Sequence, residues 1–290
     1  MKAFENIAEL RRELADERRN GRSIEFIPTM GALHEGHLQL MRSALRPGGL
    51  SVASIFVNPL QFGPSEDFDS YPRDLHSDLA LLEAEGVDVV FAPPVDQMYP
   101  SGEIQTRIEV GRLGQILEGE HRPGHFAGVA TVCAKLFSIV GPDRVYLGRK
   151  DAQQVAVLQQ VVRDLNLPVE LVPCPTVREP DGLAMSSRNR RLGPEDRREA
   201  AVLYQALVAA KAAVAAGRSS SSELLAAARE VLDQHPAVRV QYLEVVHPET
   251  FEPVATVAGE ALVVIAAHVG SVRLIDNYIV GTAQRPERKE

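Results

Sequence analysis

Two histidines separated only by a glutamate and a glycine stand at the end of the run Pro28-Thr-Met-Gly-Ala-Leu-His-Glu-Gly-His37. Imidazoles this close can address one anion together, donating to its oxygens as charge moves during a reaction. A zinc protease needs His-Glu-x-x-His, with the histidines four apart on one helical face; here they are three apart. A polar helix start with incidental histidines is the plainer alternative, and the context weighs against it. The run follows an apolar strand candidate, Ile24 to Ile27, and precedes a helix candidate from Gly36 to about Arg46. Such strand-to-helix turns are where α/β proteins bind phosphate, because the free amides of the first helical turn and the helix dipole converge there. Gly31 lets the backbone turn tightly, and Gly36 lets a ligand lie close to the helix start.

Two further stretches carry cations suited to a phosphate chain. In Leu147-Gly-Arg-Lys-Asp-Ala-Gln-Gln154 a strand end meets a helix start, and Lys150 is a mobile point charge for a triphosphate, the alternative being a solvated surface lysine. In Ala184-Met-Ser-Ser-Arg-Asn189 the hydroxyls of Ser186 and Ser187 can donate to phosphate oxygens and Arg188 adds a fixed bidentate charge, the alternative being an ordinary Ser/Arg surface turn. Neither G-x-x-x-x-G-K-[ST] nor G-x-G-x-x-G occurs, so the histidine turn is the remaining cradle for a nucleotide.

The elements that must hold these residues follow from periodicity. Ile7, Leu10 and Leu14 predict an amphipathic helix within 4–19. Leu50 to Val57 is a nearly continuous β-rich apolar run, which predicts a strand buried on both faces of a parallel sheet. A loop rich in Gly, Pro, Ser and Asp then runs to Tyr71-Pro-Arg-Asp74. There follow a helix from about Arg73 to Glu85, a strand at Val87 to Phe91, an alternating strand at Thr106 to Val110 and a helix ending near Val140. The strand Arg144 to Gly148, a helix from Asp151 to Leu165 and the strand Val169 to Val172 complete a doubly wound, Rossmann-like α/β domain, taken as residues 1–176. Beyond it, residues 177–290 read as a smaller α+β domain. It has an alanine-rich helix from Glu195 to Ala216, a second helix to about Gln234, and strands at Val238 to Val246, Ala261 to Ala267 and Ser271 to Ile275. Arg285 to Glu290 reads as a frayed tail.

Composition sets the outer limits. The chain has 290 residues, 45% hydrophobic and 24% charged, enough for two cores. A net charge of -8 argues against nucleic acid as a partner. No apolar run is long enough to span a membrane and no signal peptide is evident, so a cytoplasmic location is expected. Cys133 and Cys174 have no metal-ligand spacing, and Cys133 lies in an apolar run that predicts a buried small hydrophobe.

The ten residues from Pro28 to His37 resemble the nucleotide-binding signature of the HxGH nucleotidyltransferases and class I aminoacyl-tRNA synthetases. In their extended form they resemble the pantothenate synthetase (pantoate-β-alanine ligase) family. The likeness runs densely through 24–192 and as a general pattern through 195–280. It implies two steps: the pantoate carboxylate attacks the α-phosphate of Mg-ATP, then the amine of β-alanine attacks the pantoyl adenylate, releasing AMP. Carried onto this sequence, it implies ATP contacts at Met30, Gly31, Ala32, Leu33, His34, Glu35, Gly36, His37, Gly148, Arg149, Lys150, Asp151, Val177, Met185, Ser186, Ser187 and Arg188. His34, His37 and Lys150 would be catalytic. Asn58, Gln61, Arg122 and Gln154 would address pantoate and β-alanine, the three amides hydrogen-bonding without titrating. Asp78 would be a weak Mg²⁺ ligand, a solvated helix carboxylate being the plainer expectation. The family commonly has Glu where Arg149 stands and an acid where Ser77 stands. The resemblance also implies a homodimer, no tightly bound cofactor, and a C-terminal domain whose 185–189 segment closes as a lid. Another HxGH adenylyltransferase, with a phosphorylated substrate, and a nucleotide-binding regulatory module remain the alternatives.

Overall fold

The computed structural model describes residues 1–63, 68–102 and 104–281. Part of the loop after Phe62 and the tail at Arg285 to Glu290 lie outside the described residues. The chain forms two units, Met1–Arg149 with Gln153–Pro175, and Lys150–Ala152 with Thr176–Glu290.

The first unit contains β1 (Lys2–Phe4), α1 (Ile7–Arg19), β2 (Ser23–Thr29), α2 (Glu35–Ala44), β3 (Gly49–Ile55), α3 (Leu75–Ala84), β4 (Val89–Phe91) and α4 (Val95–Met98). After these come α5 (Glu118–His121), α6 (His125–Val140), β5 (Arg144–Gly148), α7 (Ala152–Asp164) and β6 (Glu170–Cys174). Its six strands lie in the order β1-β4-β3-β2-β5-β6, every pairing parallel. Successive side chains of a strand point to opposite faces, and β2, β3 and β4 are buried at nearly every position, so both faces are covered. Ile24 and Phe26 of β2, Leu50 and Val52 of β3, and Val89 and Phe91 of β4 join α1 and α6 in one core. Ile27, Ala53 and Val90, the alternate positions, pack with Met41 of α2 and Leu82 of α3 in another. Helices on both faces of an all-parallel sheet give the α/β, Rossmann-like architecture that the strand pattern implies. Cys133 belongs to the first core, and both cysteines are unpaired and buried.

Two local expectations are corrected. Lys2–Phe4 is a strand paired with β4, too short to show a period, and the helix starts later, with Asn6 capping the amides of Ala8 and Glu9. Thr106 to Val110 joins no sheet; its alternation reflects Ile108 and Val110 turning half-inward, and the Ile108 amide donates to Thr131 Oγ1 at 3.0 Å instead of to a strand.

The second unit has α8 (Pro194–Ala200), α9 (Val202–Ala215), α10 (Ser221–Leu232), β7 (Val238–Val246), β8 (Ala261–Val269) and β9 (Val272–Val280). The strands form an antiparallel sheet ordered β7-β8-β9. Val263, Ile265 and Ala267 of β8 pack with Leu203 and Leu207 of α9 and Leu224 of α10. The single helix expected from Glu195 is interrupted only at Ala201, whose backbone keeps helical angles. Among the described residues no helix is long and apolar enough to cross a membrane.

Candidate active site

β2 is the fourth strand of its sheet in spatial order and delivers the histidine turn at its carboxyl end. Gly31 (φ 78°) and Ala32 (φ 50°) are consecutive left-handed residues, a conformation that costs a Cβ-bearing residue about 1 kcal/mol or more. What holds them is Asp78 of α3, only 3% exposed, whose Oδ2 accepts from Ala32 N at 2.9 Å and Oδ1 from Leu33 N at 2.8 Å. A Cβ on residue 31 would stand 2.7 Å from Asp78 Oδ2, so the glycine is demanded by this contact as well as by its φ. Asp78 is therefore not the solvated carboxylate expected from its helical position. Its two oxygens are occupied by the turn, and among the described residues no group of three or more His, Cys, Asp or Glu is placed to hold a metal ion.

The histidines are themselves the cap of α2. His34 is the N-cap residue; its Nδ1 accepts from Gly36 N at 3.2 Å, while its own amide donates to His37 Nδ1 at 3.3 Å. Each Nδ1 is an acceptor, so in the neutral ring each proton sits on Nε2. The two rings lie 4.1 Å apart by centroid, half-buried. The capping arrangement thus turns the Nε2–H of each ring away from the cap; protonating either Nδ1 would set N–H against N–H and break the cap. Glu35 points elsewhere, paired with Arg42.

Beyond β3, Asn58 is 1% exposed and fully committed. Its Oδ1 accepts from Leu60 N (3.3 Å) and Tyr99 Oη (2.8 Å), and its Nδ2 donates to Gln61 Oε1 (3.2 Å) and Gly128 O (3.2 Å). An asparagine has four such positions, so Asn58 cannot take a substrate without releasing one. Asn58 also orients Gln61, whose Nε2 reaches Met30 Sδ at 2.9 Å. Gly128 makes the arrangement possible, since a Cβ there would collide with the Leu60 carbonyl. Gln61 O lies 2.8 Å from His125 Nδ1, which must donate to it, so His125 Nε2 accepts from Arg122 Nη1 at 3.0 Å. Arg122 Nη2 also donates to Gln61 O at 3.4 Å. The structure thus brings Met30, Gln61 and Arg122 into one cluster.

The two adjacent glutamines of α7 separate clearly. Gln153 is buried, donating to Leu113 O (2.9 Å) and Ile116 O (2.8 Å) and accepting from Glu118 N (3.2 Å). Gln154 is half-buried and outside that scaffold. Gly148 ends β5 with open space where a Cβ would stand, and Arg149 beyond it is exposed.

In the second unit Lys150 lies in a 3-10 turn, Arg149–Asp151, its ammonium 3.7 Å from Asp151 Oδ1. The segment carrying Ser186, Ser187 and Arg188 leaves a short hairpin: Val177 O accepts from Met185 N (3.0 Å), and Glu179 N donates to Leu183 O (2.8 Å). Ser186 Oγ accepts from Arg188 N at 3.3 Å, so this hydroxyl caps its own turn. Asn189 Nδ2 donates to Glu179 Oε1 and Ala184 O, and Arg197 bridges Glu179 and Asp181. The Arg197 hydrogen bond holds the Asp181 carboxyl below its ordinary range.

Sequence reasoning missed the supporting residues Tyr99, His125 and Gln153, and the holding role of Asp78. The visible signal for Asp78 was the glycine at 31, which marks a left-handed turn whose amides need an acceptor.

The comparisons with known proteins agree on one family. The pantoate-beta-alanine ligase family matches residues 2–279. A pantothenate synthetase of Acidobacterium capsulatum is 59% identical over 260 residues, 90% of this chain and 87% of that one. The crystal structure of pantothenate synthetase from Thermus thermophilus superposes with a TM-score of 0.91 at 50% identity, covering 96% of this chain and 99% of that one. The pantoate-beta-alanine ligase of Francisella tularensis, complexed with beta-gamma ATP and beta-alanine, has a TM-score of 0.77 at 34% identity, covering 96% and 97%. A likeness that runs through both units and through the histidine turn places this chain in the pantoate-β-alanine ligase family.

Proposed function

We infer that the chain joins pantoate to β-alanine in a reaction driven by ATP, the condensation for which its family is named, and that it does so through a pantoyl adenylate. In the first step a pantoate carboxylate oxygen attacks the α-phosphorus, the bond to the bridging oxygen breaks, and pyrophosphate leaves. In the second, the neutral amine of β-alanine attacks the acyl carbonyl, AMP leaves with the bonding pair, and the nitrogen gives up a proton. Mg²⁺ enters with ATP as part of the substrate, held mainly by the phosphates.

The observation that carries this reading is the pair of Nε2–H donors capping α2. They lie where an α-phosphate would receive helix amides and two hydrogen bonds at once as charge passes to pyrophosphate. Met30 to Leu33 would supply the backbone wall beside the nucleotide, and Glu35 and Gly36 the first helical turn. Gly148, whose missing Cβ leaves open space, would admit the nucleotide closely beside Arg149 and Asp151. Lys150, Ser186, Ser187 and Arg188 would neutralise the triphosphate, with Val177 and Met185 flanking the nucleotide. Gln61 and Gln154 would hold the pantoate hydroxyls and carboxylate, Arg122 adding charge and Asn58 holding Gln61 in place. Little covalent chemistry falls to the protein, so positioning and charge neutralisation set the rate. The resemblance extends the proposal to a cytoplasmic homodimer in which 1–176 binds the substrates and 177–290 serves as the lid; sedimentation of the purified chain checks the dimer.

Isotope exchange between pyrophosphate and ATP tests the reading. Exchange is expected only when pantoate is present, and AMP release only when β-alanine is added as well. Exchange that proceeds without pantoate would refute it.

A further inference from the structure

β9 reads Val-Arg-Leu-Ile-Asp-Asn-Tyr-Ile-Val, a largely apolar strand in which the buried polar pair Asp276 and Asn277 stands opposite Ile265 and Val264 of β8. Asp276 is 3% exposed and Asn277 is 9% exposed. Burying a carboxylate is costly unless every lone pair finds a donor, and a hydrophobic residue of similar size would serve the sheet equally well. A buried acid at this point needs a reason beyond stability.

Its partners supply one. Arg178 donates to both oxygens of Asp276, Nη1 to Oδ2 at 2.6 Å and Nη2 to Oδ1 at 3.0 Å, and the Asn277 amide donates to Oδ1 at 2.7 Å. The same guanidinium reaches Gly182 O at 3.0 Å and Asn277 O at 3.2 Å, and lies 4.3 Å over the Tyr204 ring. Tyr204 in turn fills the space beside Gly182, where any Cβ would collide with its ring. The hairpin from Val177 to Met185 is therefore fastened to β9 at its first strand, through Arg178, and packed against Tyr204 of α9 at its turn. Its outgoing strand runs directly into Ser186, Ser187 and Arg188. The neighbouring residue fastens a different segment: Asn277 Nδ2 donates to Lys150 O at 2.8 Å. Burial raises the Asp276 pKa, while Arg178 and then the Lys150 charge oppose that rise.

We propose that Asp276 and Asn277 are positioning residues for the adenylation step: one dipeptide of β9 fixes the backbone of Lys150 and the base of the Ser186–Arg188 segment in a single register. The proposal rests on the phosphate roles given above to Lys150 and to Ser186, Ser187 and Arg188, and adds what holds them. Lys150 then belongs mechanically to the C-terminal unit although its chain neighbours form the first. A lysine on a long flexible stem gains effective concentration at a phosphate only if its own backbone is fixed, and misplacement by about 1 Å costs on the order of a hundredfold in rate.

The test is a double-mutant cycle on the full-length chain, read by pantoate-dependent pyrophosphate exchange. Asn277→Ala is expected to lower kcat/KM for ATP by about tenfold to a hundredfold. KM for pantoate should stay within about twofold and the thermal midpoint should change little, because a neutral amide contact contributes only modestly to stability. Residues that act through one another are not additive, so Asn277→Ala combined with Lys150→Ala should be no slower than Lys150→Ala alone. Multiplying defects in the double variant, or a wild-type rate in Asn277→Ala, would overturn the proposal. Should Asn277→Ala fail to fold, Arg178→Lys serves in its place. It keeps the buried charge and loses the fork, and it is expected to raise KM for ATP and spare KM for pantoate; an equal rise in both would refute it. Lys150→Ala with full activity, or a wild-type chain that shows no exchange, would instead remove the parent reading.

Discussion

The histidine turn of the first unit and the hydroxyl-rich segment of the second are both short, irregular and proposed to meet phosphate, yet they are built in opposite ways. The first is closed by backbone groups. A buried carboxylate takes two consecutive amides, and each imidazole caps the helix that it begins. The second is held by side chains reaching from elsewhere in its unit: Arg197 to Glu179 and Asp181, Asn189 to Glu179, and Arg178 to Asp276. A turn fixed through its own amides tolerates few sequences and presents its donors at rest. Where the fastening is the partly exposed Arg197 pairs, it stays adjustable and sensitive to salt and pH, while the Arg178 fork to Asp276 is buried.

The contrast can be broken most sharply at His37. His37→Ala removes both an Nε2–H donor and the acceptor for the His34 amide, and is expected to lower kcat/KM by about a thousandfold with the global fold retained by circular dichroism. Next is Asp78→Ala, which leaves the Ala32 and Leu33 amides without their buried acceptor; denaturant unfolding should show a loss of about 3 kcal/mol, with catalysis falling as well. Asp78→Asn, which can accept from only one of the two amides, should lie between. If Asp78→Ala is as stable as the parent chain, the first turn is not held as described.

On the other side, Arg197→Ala should cost less than about 1 kcal/mol, because its partners are partly exposed, and added salt should shrink the difference further. The pH sign follows from the lowered Asp181 pKa. The contribution is present above the ordinary carboxylate value of 3.8 and is lost as pH falls below it, so the two proteins should converge in acid. A loss comparable to that of Asp78→Ala would erase the asymmetry.

The smallest effect concerns the core that α1 and α6 share with the parallel sheet. Burial pushes the Cys133 thiol up to about 12 from 9.0. The unfolded chain therefore ionises first, and this contribution to stability is complete below pH 9 and declines as pH rises from there toward 12. At about pH 8 the native protein should react with an aromatic disulfide reagent slowly at Cys133, and quickly only after unfolding.

Much of this was legible in advance where the determinants were local. The doubly wound sheet follows from β2, β3 and β4, whose apolar residues fall on both faces, and the histidine turn from a glycine and an anion-competent helix start adjoining them. Legibility ended where a residue's meaning depends on a distant partner. Gln153 and Gln154 are identical in type and adjacent, but one feeds the carbonyls of Leu113 and Ile116 while the other does not. Asn58 reads in sequence as a loop amide, and only the fold shows Tyr99, Gln61 and Gly128 bonded to it. Asp78 sits 45 and 46 positions from the amides it serves, and no periodicity encodes that distance.

The grouping of Lys150–Ala152 with Thr176–Glu290 bears on how such a chain could be divided. A gene cut after Pro175 would give a leading fragment that still encodes the lysine but lacks the asparagine amide that anchors its carbonyl. The trailing fragment would keep the anchor with nothing to hold. Mixing the two fragments would therefore have to rebuild a dowel joint that the cut has split, and complementation should be harder to achieve than for a cut that respected the units.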